Sequence, residues 1–485
     1  MRKAFSQQLR LDGGNVLDVA LNLECRDEII PILTGLQHVY ATPQLRDTIL
    51  KLIEADVLGE VTSQRGRTGL AYWHILVLTA IRLGCDLDYD KLQDLSENHR
   101  ALRGIMGVGD FDLTNFSWRR IQDNVCLLKP TTIDAISRLI VGAGHQLCPA
   151  AIEDVRGDSF VVETNVHWPS ESSLIRDGIT TLIGLCAPLA EELQVAGWRQ
   201  SEHQLKKVRN LAREIDRIAS KKGPNYQAKL KRLYKTLLKR SGKILDRVRD
   251  VQAALVIVSD PASPNPQSLE MKSFVENTER VRDTARRRVL LGEKVPNSDK
   301  LFSLFELHTQ LYKRGKAGDP VQFGRLVFIA EDAAGFIIHH HIPPRESADR
   351  DIAVSQVGIM QTKYQNGIKR MSLDRGFHTP ENQRELAKIV AEPCLPKPGY
   401  KQAAEQEREA SDTFHKSRRR HAGVESAIGA LQAGNGLKRC RDKSEVGFER
   451  YVASGVLARN LHVLGKILIA AEDAQCEAAN THRAA

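Results

Sequence analysis

The chain has 485 residues, 42% of them hydrophobic, and a formal net charge of +10. This length predicts two or three domains, and the basic excess favours a polyanionic partner. No apolar run approaches the ~20 residues that span a bilayer, the first residues lack the features of a signal peptide, and the scattered cysteines include no Cys-x-x-Cys pair, which argues against a zinc ribbon or disulfide framework. We therefore expect a cytoplasmic protein that does not contact a membrane.

Residues 1–150 are predicted to be helical and to form an N-terminal DNA-binding domain. Apolar residues recur at helical spacing in QLRDTILKLIEADVLGEV and AYWHILVLTAIRLGCDL. Further along, DLTNFSWRRIQDNVCLL offers Thr114 or Asn115 as the N-cap of a helix that carries Arg119 and Arg120. Short helices in this order suit a helix-turn-helix-like unit, although composition alone slightly favours an ordinary helical bundle.

The first part of an α/β core is predicted over 151–197. The segment SFVVETNV is rich in β-branched and apolar residues and predicts a core strand, which Asp158 opens. A helix is expected from about 172 to 195.

A basic helical insertion is predicted over 198–298. Apolar residues at helical spacing on both sides of Gly223-Pro224 predict an antiparallel helical hairpin. Residues 201–250 contain 16 Lys/Arg and 5 Asp/Glu. Charged helix faces are usually only solvated, but a surplus this concentrated favours contact with DNA phosphates.

The remainder of the core is predicted over 299–471, with C-terminal helices and a flexible tail at 472–485. PVQFGRLVFIAEDAAGFIIHHHI predicts two strands joined by a glycine-containing turn. There follow a helix (347–364), the strand IKRMSLD, a helix (380–391), a strand-like segment, a basic helical region (402–432) and a final helix (446–471). This order predicts a mixed α/β sheet interrupted by a basic helical insertion and preceded by an all-α domain.

Three acids are candidates for a catalytic metal site: Asp158, Asp374 and Glu425. Two-metal phosphoryl transfer needs carboxylates around hard cations about 3.5–4 Å apart, and ends of strands are where α/β folds place ligand groups. Glu425 lies on a predicted helix beside Arg418–Arg420, where a surface ion pair is the alternative interpretation. Taken singly, each acid is more often structural than catalytic.

Several segments together resemble a known family. VRGDSFVVETNVHWPSESSLIRDG, FELHTQLYKRGKAGDPVQFG, LDRGFHTPENQREL and RRRHAGVESAIGALQAGNGLKRCRDKSEVGFERYVASGVLARNLHVLG are similar to segments of bacterial insertion-sequence transposases of the ISNCY type. Those enzymes belong to the DDE, RNase H-like superfamily. RGRTGLAYWHILVLTAIRLGCDLDYDKLQDLSENHRALRGIMG also resembles the helical domain that precedes the catalytic core in related transposases. The resemblance covers nearly the whole chain and keeps the order of the motifs.

The resemblance implies an activity and a role for each acid. Asp158 matches the first acid, Asp374 the second acid in D-R-G-F, and Glu425 the third, on a helix. They would hold two Mg²⁺ or Mn²⁺ ions for nicking at transposon ends and attack of the freed 3′-OH on target DNA. A nucleoid-associated homodimer on paired DNA ends is the implied assembly. The alternative is a transposase-derived DNA-binding protein without catalytic activity, or, less strongly, a nuclease that cuts without joining.

The chain also departs from the wider superfamily around the third acid. Many relatives carry Tyr and Arg before the Glu and a Lys seven positions after it, where this chain has Arg418, His421 and Gln432. Lys438 and Arg439 would then take over phosphate contact. The full set of predicted DNA contacts is Arg119, Arg120, Arg375, Arg418, Arg419, Arg420, His421, Lys438 and Arg439.

Other acids and histidines compete for a metal role. Asp349 and Asp351 stand at a predicted helix start, where capping is the expected role, and Asp177 is a further rival. Glu163 points away from Asp158 in an extended strand, so a structural or supporting role is expected for it. His339-His340-His341 offers two side chains on one strand face, but without a third ligand at sensible spacing a metal site is not expected there.

Overall fold

The structure is a computed structural model that describes residues 15–59, 69–109, 112, 114–258, 266–313 and 321–484. The fold is mixed α/β, as predicted, and the described residues form two compact units. The first unit contains the chain up to Asn165 and again from Arg325, and the second contains Val166–Gly324. Parts of the resembling segments and the first 14 residues lie outside the described residues.

All secondary structure that is described before Asp154 is helical, as the sequence pattern predicts. The helices are α1 (Ile29–Ala41), α2 (Pro43–Leu58), α3 (Tyr72–Gly84), α4 (Tyr89–Asn98), α5 (Arg100–Ile105), α6 (Trp118–Val125) and α7 (Pro130–Leu147). α1, α3 and α7 pack against α17 (Glu445–Ala484), so the N-terminal helices share a compact unit with the C-terminal helix. Trp73 and Leu76 of α3 are among the buried residues of this shared core.

Helix α6 begins later than the sequence suggests. Its N-cap is Ser117, not Thr114 or Asn115. The reason is local, because both the backbone N–H and the hydroxyl of Thr114 donate to Asp112 in the preceding turn. These bonds hold Thr114 in the turn that precedes the helix.

A mixed sheet forms the centre of the first unit. The strands of the chain are β1 (Asp154–Glu163), β2 (Gln310–Tyr312), β3 (Gln322–Glu331), β4 (Ile337–His341), β5 (Arg370–Leu373) and β6 (Glu392–Cys394). In the first unit their order is β4-β3-β1-β5-β6, with β1–β5 and β5–β6 parallel and β3–β4 antiparallel. β2 pairs with residues 322–324 of β3, within the second unit.

Strand β1 begins four residues before Asp158, so the prediction that Asp158 opens the strand is wrong. The missed part contains Gly157, a residue type that is typical of turns. This position of the strand carries a glycine because neighbouring side chains leave little room: a Cβ atom would lie 2.9 Å from the Met371 side chain and 2.9 Å from the Phe328 ring. A glycine inside a strand often marks such a close approach of neighbouring groups.

The second unit is built around four helices: α8 (Glu171–Glu192), α9 (Ser201–Lys221), α10 (Tyr226–Val258) and α11 (Pro266–Ala285). α9 and α10 pack against each other as the predicted hairpin. The break falls where it was predicted, since Lys222 ends α9 in the left-handed conformation, just before Gly223-Pro224. The spacing also predicted the buried face correctly, and its residues include Val208, Ile215, Leu237 and Val248.

The remaining helices of the first unit are α12 (Asp349–Lys363), α13 (Pro380–Ile389), α14 (Ala403–Ala410), α15 (Asp412–His421) and α16 (Gly423–Ala433). The predicted basic region at 402–432 is therefore three helices. Ser411 separates the first two by capping α15, where its side chain accepts from the Phe414 N–H. α17 extends to Ala484, beyond the predicted end at 471.

Two helices are long and apolar enough to cross a membrane by length and composition: α8 and residues 445–475 of α17. Half of the apolar window in α8 and two thirds of that in α17 are buried inside the protein. α8 packs on the helices of the second unit, and α17 packs on α1, α3 and α7. Both behave as core helices, which is consistent with a soluble protein.

Candidate catalytic site

The first two predicted acids follow the last paired residues of two neighbouring strands. The parallel ladder between β1 and β5 ends at the pair Gly157 and Leu373. The next residues along the two strands are Asp158 and Asp374. Paired strands lie about 4.8 Å apart, so the ladder brings together two acids that are more than 200 positions apart in the sequence.

The two acids also belong to one face of the sheet. Residues two apart in a strand point to the same side, so Arg156 shares a face with Asp158, and Ser372 shares a face with Asp374. Asp374 keeps an extended backbone, with φ −72° and ψ 164°, so the alternation continues through it. We call this side of β1 and β5 the acid face.

Helices α15 and α16 pack on the acid face. The Arg156 guanidinium donates to the Arg420 carbonyl at 3.0 Å, and the Ser372 hydroxyl lies 3.3 Å from Nδ1 of His421. A Cβ on Gly423 would come within 2.2 Å of Arg156 Nη1, so a larger residue at the start of α16 would displace the guanidinium. Glu425 follows in the first turn of α16 and is exposed. The helix of the third acid therefore begins against the acid face.

A cation lies close to the second acid. Arg418 Nη1 is 3.9 Å from Asp374 Oδ1, and the Asp374 side chain is 45% exposed. The same Nη1 atom is buried and has no hydrogen-bond partner among the described residues. A metal ion bound by Asp374 would therefore compete with a loosely placed guanidinium, not with a tight bidentate ion pair.

The acid face is supported by a buried charge pair that the sequence analysis missed. Arg156 donates through Nε to Glu331 Oε2 at 2.6 Å, and Glu331 is only 2% exposed. Burial raises the pKa of Glu331 despite the opposing effect of Arg156. Arg370 and Arg420 both pair with Asp154 at the start of β1. The alternation of polar and apolar residues at the start of DVRGDS is the sequence pattern from which this part of strand β1 could have been predicted.

The donor chemistry of the first two acids suits a hard divalent cation, since carboxylate oxygens are the preferred ligands of Mg²⁺. Asp158 Oδ1 accepts from the Ser159 N–H at 2.7 Å, a bond that leaves further acceptor capacity on the carboxylate. Within the described ranges, no group of three or more His, Cys, Asp or Glu side chains is arranged to hold a metal ion. The convergence of Glu425 with the other two acids stays a prediction.

The predicted DNA contacts near the acids have different environments. Arg375 and Arg419 are exposed, whereas Arg420 forms an ion pair with Asp154. His421 is 8% exposed, and burial lowers its pKa, which favours the neutral imidazole. His421 is thus placed to support β5, and its role as a phosphate contact remains a prediction.

The other predicted contacts lie beside β1 and on α6. Lys438 is exposed, and Arg439 pairs with Glu163 at 2.9 Å. On α6, Arg119 is exposed with its guanidinium 5.1 Å from the Trp118 ring centroid, while Arg120 donates to the Gly69 carbonyl at 3.4 Å.

A cavity of about 560 Å³ opens beside the second acid. Arg418 joins the two, because it lines the cavity and also approaches Asp374. Arg375 and His415 also line the cavity, together with Lys397 and Lys401, which pair with Glu405 and Glu409, and Glu409 itself belongs to the lining. Arg418 and Arg375 are therefore the arginines that an anionic group next to Asp374 could contact.

Two of the three competing acids have structural partners, Asp177 and Asp351. Asp177 accepts from His167 at 2.6 Å in the second unit. Asp351 caps α12 by accepting from the Ala348 N–H at 2.8 Å, as predicted. Asp349 also lies in the first turn of α12, and its Oδ1 is buried without a hydrogen-bond partner in the described structure.

The three histidines of β4 are partly buried. His339 Nε2 lies 2.9 Å from the Gln356 side-chain oxygen, and since that oxygen accepts, the nitrogen donates. Burial lowers the pKa of His339 to about 4, so it is neutral at physiological pH.

Comparisons with known proteins add no relative from which a function could be transferred. No family model matches the chain, and neither the curated proteins nor the solved structures contain a match.

Proposed function

We propose that the chain is a metal-dependent DNA transposase of the DDE, RNase H-like type. The observation that carries this proposal is the β1–β5 register, which brings Asp158 and Asp374 together on the acid face. The packing of α15 and the start of α16 on the same face supports Glu425 as the third acid. The sheet order β4-β3-β1-β5-β6, with an antiparallel β3–β4 pair and parallel strands on the other side, supports an RNase H-like core.

The side chains around the acids would bind and orient a DNA strand. Arg418 and Arg375 line the cavity beside Asp374 and would contact phosphates on either side of the reacting one. Arg156 and Ser372 position α15 and α16 through Arg420 and His421. The three acids would hold Mg²⁺ or Mn²⁺, which supplies activation of the attacking oxygen and stabilisation of the leaving 3′ oxygen.

The wider proposal follows the family resemblance. The N-terminal helices would bind the transposon ends, and the enzyme would act as a homodimer on paired ends in the cytoplasm, at the nucleoid. The products would be 3′-OH ends joined to target DNA.

Cleavage and joining of DNA test the proposal. Duplexes taken from the genomic DNA on both sides of the gene are incubated with the full chain, a supercoiled target plasmid and Mg²⁺. We expect wild type to nick and join, and Asp374→Asn to be slower by roughly 10³-fold, the equivalent of about 4 kcal/mol in the barrier. Asp177→Asn is the matched control, because this acid pairs with His167 in the other unit; it should keep wild-type activity.

The alternative, DNA binding without catalysis, has one observation in its favour. Arg418 lies against Asp374, and a carboxylate beside a guanidinium is partly neutralised. Equal DNA binding by wild type and Asp374→Asn, with no nicking by either protein, would establish the alternative. Nicking without joining would indicate a nuclease.

A further inference from the structure

Helix α9 carries a row of basic residues opposite its buried face. The buried residues include Val208 and Ile215. At 100° per residue, five basic residues at spacings of three and four fall on the other side of the helix. All five are exposed, and we call them the α9 stripe: Lys206, Arg209, Arg213, Arg217 and Lys221.

Helix α10 carries a second row with the same properties. Its buried face includes Leu237 and Val248, and the stretch from residue 229 to residue 243 contains no Asp or Glu. The basic residues again lie opposite the buried face at spacings of three and four. All five are exposed, and we call them the α10 stripe: Lys229, Arg232, Lys235, Lys239 and Lys243.

None of these ten side chains forms an ion pair or side-chain hydrogen bond with another described residue. Elsewhere in the same unit, basic residues do find acids. Arg249 pairs with Asp246 at 2.9 Å and also with Glu279. Like charges in rows repel one another and destabilise the folded chain slightly. Ten unpaired charges arranged in two rows on neighbouring helices therefore indicate a polyanionic partner.

The two stripes meet in a cavity at the turn of the hairpin. The cavity has a volume of about 640 Å³, and Arg217, Lys221, Lys229 and Arg232 line it. Glu214 is the one acid in its lining, so the surface keeps a positive excess. The first turn of α10 also lines this cavity through Tyr226, Ala228 and Lys229, and the start of a helix favours an anion.

We infer that the α9 and α10 stripes bind the sugar-phosphate backbone of duplex DNA, with one phosphate seated in the cavity at the turn. The α9 stripe covers 16 residues and the α10 stripe 15, which corresponds to about 21–22 Å of helix, or roughly six base-pair steps. Packed helices lie about 8–10 Å apart, between the widths of the minor and major grooves. The choice of DNA among polyanions rests on the proposed function, but binding by the stripes does not require the catalytic acids.

The test is the salt dependence of binding to a fluorescent 30-base-pair duplex of random sequence. The variant replaces the four basic residues of the cavity, as Arg217→Gln, Lys221→Gln, Lys229→Gln and Arg232→Gln, in the full chain. Glutamine keeps the helix propensity of α9 and α10, and circular dichroism checks the fold. The matched control removes the same charge from exposed residues elsewhere, as Lys51→Gln, Lys272→Gln, Arg384→Gln and Lys466→Gln.

We expect the cavity variant to bind roughly 10²–10³-fold more weakly at 0.1 M salt, and the slope of log K against log salt to fall by about 3 to 4. The control should lose less than tenfold in affinity and keep its slope to within about one. Equal losses in the two variants would overturn the inference, since total charge would then be sufficient. Tighter binding of a single strand, or displacement of the duplex by poly-L-glutamate at equal charge, would also overturn it.

The outcome of this binding test can be distinguished from the outcome of the cleavage assay for the proposed function. Weak binding by the cavity variant, together with no DNA cleavage by wild type, would keep the inference and reject the transposase. Normal binding by the cavity variant, together with cleavage that depends on Asp374, would reject the inference and keep the transposase.

Discussion

The basic residues of the sheet-containing unit and those of the α9–α10 hairpin are used in different ways. In the first unit, arginines next to the core are bound by acids: Arg82 by Asp442, and Arg156 by Glu331. In the hairpin, the ten side chains of the two stripes have no acidic partner among the described residues. Paired arginines hold elements of the fold together, whereas unpaired rows remain available for a ligand.

This difference separates the predicted phosphate contacts into paired and unpaired residues. Arg420 and Arg439 were predicted from sequence as phosphate contacts, yet each pairs with an acid of β1, Asp154 or Glu163. To bind phosphate, either residue would first have to leave its carboxylate. The side chains of the two stripes have no ion pair to break, so they are better candidates for the main electrostatic contact with DNA phosphates.

The largest expected effect concerns a buried pair. Arg82 and Asp442 have side chains that are 4% and 8% exposed, and Arg82 Nη2 lies 2.5 Å from Asp442 Oδ1. We expect Arg82→Met to lower the free energy of unfolding by about 3–5 kcal/mol, because Asp442 is left as an unpaired buried charge. Urea denaturation measures this loss.

The control for Arg82 comes from the second unit. Arg249→Gln removes two exposed pairs, to Asp246 and Glu279, from a side chain that is 46% exposed, and should cost about 1 kcal/mol or less. Similar losses in the two variants would show that pairing in the first unit does not differ from pairing on the hairpin surface.

A second prediction concerns pH and His339. Its pKa is lowered to about 4 by burial, while an unfolded histidine titrates near 6.5. Below pH 6.5 the unfolded chain therefore takes up a proton that the folded chain refuses, so stability falls until the pH reaches about 4. Between pH 7.5 and pH 5, wild type should lose about 2 kcal/mol more unfolding free energy than His339→Gln. Equal losses in the two proteins would contradict this account.

A third prediction compares two glycines of the first unit. Gly157→Ala brings a methyl group within 2.9 Å of Met371 and Phe328, whereas at Gly142 of α7 a Cβ meets nothing within 4 Å. We expect Gly157→Ala to destabilise the protein by about 1–3 kcal/mol through overpacking, and Gly142→Ala to stabilise it by about 0.5–1 kcal/mol. Thermal denaturation distinguishes them, and equal midpoints would argue against tight packing beneath Asp158.

The sequence was a good guide wherever a local pattern determines structure. The hairpin break at Gly223-Pro224, the strand that precedes Asp374 and the capping role of Asp351 all follow from the spacing and type of neighbouring residues. These features depend on interactions within a few positions of the chain.

Features that depend on tertiary packing were missed. The start of β1 was not predicted, because Gly157 is required by Met371 and Phe328 from other strands. The burial of His421 and the position of Arg418 beside Asp374 likewise depend on how α15 packs on β5. The positions of Asp158 and Asp374, each directly after the last β1–β5 pair, depend on strand register, which no local pattern specifies.

The central claim is that Asp158 and Asp374 share one metal site, and binding of Mn²⁺ tests it most directly. Electron paramagnetic resonance of free Mn²⁺ is measured during titration of the full chain, without DNA. We expect saturable binding by wild type and at least tenfold weaker binding by Asp158→Asn and by Asp374→Asn, with Asp177→Asn unchanged. Binding that is the same in all four proteins would contradict the claim.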